Sequence, residues 1–348
     1  MRLLTFVLIL MLVCCLAVPA LAVEFTAPKV PISGAEQMPE ETESFGEGMM
    51  ELIHNVLVSI RPDIKEALRV SASVTSAVII VCLLRTFSGS VTTIAELTGT
   101  VTVAGILLFS TNAMISVGAD TVREMSEYGK LLYPVLSTAM AAQGGLTASA
   151  ALYAGTAALD LVLSSLISGF LIPMVYLFLA LAAANSATGE AMLKKTRDLL
   201  KSFMTWCLKT LLTVFTTYMS ITGVVSGTTD AAALKATKVT ISSMVPVVGG
   251  ILSDASEAVL VSAGLAKNMA GVYGILALLA VFLGPFFKIG LQYMVLKATA
   301  AFCGIFGAKR ITELIEDFSS AMGLLLAMTG STCLLLLISV VCFMKGVG

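Results

Sequence analysis

Ionisable residues are so few in this sequence that each one embedded in an apolar run stands out as a candidate for chemistry. Asp160 lies inside the oily stretch 146–188, and Lys297 lies inside 289–307. A charge at the centre of a membrane helix costs about 2.5–3.5 kcal/mol on insertion scales, so such residues usually face a protein interior or a watery cavity. Each could instead stand near a span end and snorkel to the interface. A second group clusters between 229 and 268. Lys235 and Lys238 are spaced to share one helix face, and so are Asp254 and Glu257. Between these pairs runs Met244-Val-Pro-Val-Val-Gly-Gly250, where Pro246 removes a backbone donor and Gly249-Gly250 permits conformations other residues avoid. The pattern predicts two amphipathic helices joined by a break, a hairpin lying on the bilayer or dipping into it. Either its charges line a conduit or gate, or they satisfy one another in a plain interfacial hairpin.

The motifs of known catalysis are missing. No GxxxxGK[ST], HExxH or GxSxG occurs, and His54 is the sole histidine, in an amphipathic segment with no partner motif around it. Asp160 and Asp254 lack the flanking glycines and tyrosine of an intramembrane aspartyl pair. The seven cysteines are scattered, with no CxxC, and most sit in apolar runs where a thiol acts as a small hydrophobe. The expectation is therefore no enzyme, no cofactor and no metal centre. A net charge of −1 supplies no basic field for nucleic acid.

The elements that must position these residues follow from composition. Hydrophobic residues make up 57% of the 348 and charged residues only 12%, with a mean hydropathy of +0.97. A soluble domain usually carries about a quarter charged residues, so lipid must solvate much of this surface. The fold class is all-α: a polytopic, integral membrane helical bundle with amphipathic and re-entrant pieces.

Along the chain, residues 1–22 read as a secretory signal: a basic start, an apolar core and Ala20-Leu21-Ala22 as a cleavage site. The alternative is an uncleaved first span. Residues 23–47 carry six glutamates against a single Lys29, together with Pro28, Pro31 and Pro39, and form a flexible acidic linker outside the cytoplasm. Residues 48–69 form amphipathic helices. Met49, Ile53, Val56, Leu57 and Ile60 recur at helical spacing, Arg61-Pro62-Asp63 interrupts them, and a second short helix runs through Leu68. Their place is the membrane surface or a partner helix.

The polytopic domain occupies residues 70–348. Its apolar runs are 70–84, 97–118, 146–169, 170–188, 203–227, 269–287, 289–307 and 321–344, which give about seven candidate spans, the first run being short for a full crossing. Gly223 and Gly227 have the GxxxG spacing that lets helices approach closely. The closing run, with Ser331, is expected to face lipid or a tolerant interface. Lys194, Lys195, Arg197 and Lys201 belong in the cytoplasm by the positive-inside rule, which requires one of the four earlier runs to be half-spanning or re-entrant. The suspects are 70–84 and 146–169.

Around the predicted hairpin the sequence becomes distinctive. Thr222-Gly-Val-Val-Ser-Gly, Lys235-Ala-Thr-Lys, Val245-Pro-Val-Val-Gly-Gly-Ile-Leu-Ser-Asp-Ala-Ser-Glu-Ala-Val-Leu260 and Lys267-Asn resemble the stage III sporulation protein AE family. The likeness is dense from about 220 to 275 and looser from about 45 to the end. It implies a role in endospore formation, in the mother-cell membrane around the engulfed forespore. It also implies membership of a secretion-like channel complex with other stage III sporulation A proteins, including a cytoplasmic ATPase, and a permease or export-platform part within it. Membrane lipid is a further partner, and a homo-oligomer is compatible with the resemblance. No catalytic residue carries over. The competing function is an autonomous secondary transporter of a small solute, which an internal repeat would favour. No convincing repeat links the two halves.

Overall fold

The structure is a computed structural model that describes residues 45–87, 92–143, 146–244 and 249–345, with the side chains of 222–270 outside the described part. The expected signal sequence and nearly all of the expected acidic linker therefore lie outside the described residues. Every described element is helical.

Helix α1 (Phe45–Ser59) passes through Ile60 into α2 (Arg61–Phe87). The expected separate helix ending at Leu68 does not exist: it and the run 70–84 are one helix. Pro62 sits in the first turn, where a missing N–H costs nothing, and lone charges such as Arg69 do not interrupt the hydrogen-bond ladder. Leu52 and Val56 of α1 are buried in a small apolar cluster with Ala280, flanked by Leu279, Leu283 and Phe287. His54 on the same helix is exposed.

The same joining recurs down the chain. Helix α3 (Thr92–Ala142) continues unbroken through the charged stretch 120–130 and past Pro134. Helix α4 (Leu146–Leu166) runs through a π-helical turn, Ile167–Leu171, into α5 (Ile172–Thr188) with Pro173 at its start. A wider π turn absorbs an extra residue and leaves room for the proline ring without a reversal of the chain. Gly189, at φ 76°, then caps α5 and turns into α6 (Ala191–Met244). Helix α7 (Gly249–Gly304) carries Pro285 and Lys288 inside it, and a turn through Gly307, at φ 75°, leads to α8 (Lys309–Lys345).

Several apolar runs that read as successive spans are thus halves of single rods. Among the described residues five rods are long and apolar enough to cross a bilayer: Arg61–Arg85, Ile94–Ala142, Thr147–Thr188, Gly271–Gly304 and Lys309–Met344. The chain is a helical, polytopic membrane protein. At 1.5 Å per residue, the 49-residue rod is about 74 Å long, more than twice a hydrocarbon core of about 30 Å. Parts of the bundle must project beyond the bilayer.

Helix α8 is the centre of the bundle. It is the most buried of the five rods, with Phe318, Met322, Thr332, Leu335, Val340 and Phe343 all enclosed. Of the two surroundings expected for this helix, lipid or a tolerant interface, lipid is excluded at Ser331, which is 4% exposed and hydrogen-bonded to the Ala327 carbonyl. Apolar surface is instead shown by Ile80, Leu83, Val101, Phe109, Leu161, Phe302 and Leu334, on the outer faces of α2, α3, α4, α7 and one side of α8. Glycine allows close contact between α2 and α3, where a Cβ on Gly99 would run into the Val81 side chain.

Candidate functional site

Among the described residues, three sets of polar contacts between distant parts of the sequence stand out in this apolar bundle. The first lies in the interior. Helices α3 and α4 run antiparallel, which sets Ser126 opposite Asp160. The Ser126 hydroxyl donates to Asp160 Oδ2 at 2.8 Å, and Asp160 is 1% exposed. Its other oxygen, Oδ1, is buried without a hydrogen-bond partner, and so is the hydroxyl of Tyr128. Ser339 of α8 lies beside Tyr133.

The second set is an ion cluster between the start of α6 and the start of α8. Arg197 Nη1 donates to Asp317, and Arg197 Nη2 reaches Asp198 Oδ1 at 2.9 Å and Glu313 Oε1 at 3.6 Å. Lys194 pairs with Glu313 at 2.5 Å, and Lys201 Nζ donates to Ser320 at 3.0 Å. Helical spacing explains the match. Residues 194, 197 and 201 fall on one face of α6, and 313, 317 and 320 fall on one face of α8. Arg197 and Asp317 are buried, while Lys194 is half exposed. Burial pulls the Arg197 pKa down, but Asp317 and Asp198 more than offset it, so the net shift is upward. The hydrogen bond from Lys194 to Glu313 likewise raises the lysine.

The third set fastens α2, α3, α5 and α7. Lys288 meets Asp63 at 2.8 Å, Gln292 Nε2 donates to Ser110 at 3.1 Å, and Ser71 and Thr299 share a hydrogen bond of 2.6 Å. Tyr176 donates to Asn112 Oδ1 at 2.8 Å. Such interhelical bonds are worth roughly 0.6 kcal/mol each in a membrane, so their combined effect is to fix register rather than to supply most of the stability.

The residues singled out from sequence divide sharply. Asp160 is enclosed. Lys297 is exposed on the outer face of α7, on the outside of the bundle. Gly223, Gly227, Lys235 and Lys238 fall in the last part of α6, and Gly249, Gly250, Asp254 and Glu257 in the first turns of α7. Their side chains lie outside the described part, and Pro246 lies outside the described residues altogether. Sequence reasoning missed the pairing of Arg197 with Asp317 and of Ser126 with Asp160. The available signal for the first was complementary spacing, two basic residues three apart on α6 facing two acidic residues four apart on α8.

The family described as Stage III sporulation protein AE matches residues 37–346. Stage III sporulation protein AE of Bacillus subtilis (strain 168) is 23% identical over 217 residues, which cover 62% of this chain and 54% of that protein. The match therefore spans about half of that relative's length. No solved structure matches. With the family matched over nearly its whole helical body, the chain belongs to the stage III sporulation protein AE family.

Proposed function

We propose that this chain is the polytopic membrane subunit of a channel or secretion-like complex linking mother cell and forespore, needed for forespore development after engulfment. Family membership implies a role in stage III of sporulation. The observation that carries the finer reading is the combination of that match with five apolar rods, four of them packed about the buried fifth, α8. A rigid, membrane-embedded scaffold of this kind suits a permease or export platform. It works beside other stage III sporulation A proteins, with a cytoplasmic ATPase supplying the energy. Its seat is the mother-cell membrane around the forespore. The ion cluster of Lys194, Arg197, Glu313 and Asp317 belongs on the cytoplasmic side in this reading, because Lys and Arg concentrate there.

The hairpin between α6 and α7 is the proposed gate or structural hinge, with Lys235, Lys238, Asp254 and Glu257 on its arms and Pro246, Gly249 and Gly250 at its break. Gly223 and Gly227 are its proposed helix contact. The chain acts through assembly and conduction and not as an enzyme. Deleting its gene in a spore-former should arrest development after engulfment and leave vegetative growth normal. Normal spore yield from the deletion would refute the proposal, and solute flux by the purified chain alone in liposomes would favour an autonomous carrier instead.

A further inference from the structure

Among the described residues, the carboxyl group that the bundle encloses most completely is also incompletely partnered. Asp160 is 1% exposed, accepts a single hydrogen bond from Ser126, and has its second oxygen buried with no partner. An ionised carboxylate in that position would hold a full charge in an apolar interior with one donor, where carboxylates usually gather two or three. The surroundings do not supply the rest. Lys130 of α3 acts on Asp160 only at longer range, and no ion pair joins the two among the described residues. From α3 the other ionisable neighbour is the buried Tyr133, whose hydroxyl faces Ser339. From α8 the nearby polar group is Ser339, and from α6 the Tyr218 hydroxyl is committed to the Ala151 carbonyl at 2.9 Å.

We propose that Asp160 is a proton-binding site, occupied in the packed bundle, and that its emptying is coupled to separation of α4 from α3. A neutral carboxyl suits the place: its C=O accepts from Ser126, and its O–H removes the need for a buried counter-charge. Release is a single proton step. The O–H bond breaks, the proton passes to water, and the remaining carboxylate needs donors that the closed seam does not offer. Water can reach Oδ1 only when the α3–α4 seam opens. A membrane subunit built this way senses proton activity through packing. This inference stands apart from the partners proposed above, because it concerns only the interior of this chain.

The test uses the full-length protein in nanodiscs and infrared difference spectroscopy, wild type minus Asp160→Asn. The expected result is a protonated-acid carbonyl band at neutral pH that the variant lacks. In Ser126→Ala the band should move to higher frequency, because the hydrogen bond to the carbonyl is gone. That second comparison stands alone if Asp160→Asn does not purify folded. Raising the pH until the band disappears should lower amide-exchange protection across 126–133 in wild type, beyond the base-catalysed rise in intrinsic rate, and leave the protection in Asp160→Asn unchanged. Carboxylate bands alone at neutral pH, a band indifferent to Ser126→Ala, or exchange indifferent to its loss would each overturn the proposal.

Discussion

Replacing Asp317 by alanine removes the buried acceptor of Arg197 and leaves that guanidinium 5% exposed. Breaking a buried pair from one side costs about 3–5 kcal/mol, because the surviving charge is uncompensated. Here the loss should sit near the lower end, about 3 kcal/mol, since Asp198 at 2.9 Å and Glu313 at 3.6 Å still face Arg197. Lys194→Ala offers the contrast. Its pair with Glu313 is half exposed, and such pairs are worth about 0–1 kcal/mol. The decisive variant is the double replacement Arg197→Met with Asp317→Leu, which removes both charges and keeps apolar volume. It should recover most of the lost stability. The assay is equilibrium unfolding of the purified chain in mixed micelles with increasing dodecyl sulfate, followed by tryptophan fluorescence from Trp206, the single tryptophan, on α6. If Asp317→Ala unfolds with wild type, or if the double variant is as weak as the single one, uncompensated charge is not what holds α6 to α8.

The remaining predictions bear on packing and on the hairpin. Ser331→Leu overfills a buried site on α8 and should destabilise by about 1–3 kcal/mol in the same unfolding assay. Wild-type stability would contradict the central position of α8. Gly99→Val should push α2 from α3 and lower stability, and Val81→Ala should partly rescue it, since Val81 is what the new Cβ meets. Absence of coupling between the two would show that the helices separate freely. Gly249→Leu and Gly250→Leu should each reduce spore yield where Lys297→Ala, on an exposed face, does not. Equal yields from all three would remove the case for the hairpin.

The class of fold was legible because solvation follows from composition: 12% charged residues cannot cover a soluble protein of this length. The count of spans was less legible. Lys288 and Pro173 look like punctuation in a hydropathy reading, but one charge does not break a helix and a π turn accommodates the proline. Uniformly apolar sequence also hides orientation. A helix oily on all sides can be central or lipid-facing, so the burial of Ser331 and Thr332 on α8 had no periodic signature. Asp160 stood out from sequence as a lone acid. Ser126, which anchors it, did not, because serine is unremarkable in either setting and the contact spans 34 positions. Arg197 was visible in a basic stretch between apolar runs, but only the tertiary fold brings it face to face with Asp317, 120 positions away.

The measurement closest to the central claim asks whether the exposed apolar faces meet lipid. Single cysteines at Ile80, Val101, Leu161 and Leu334, in a chain cleared of its native cysteines, can be probed in membrane sheets open on both sides. A contiguous level of the bundle should resist water-soluble maleimide, and fluorescent labels there should be quenched by acyl-chain spin probes. Free labelling of all four positions from water, with no quenching from the bilayer, would contradict it.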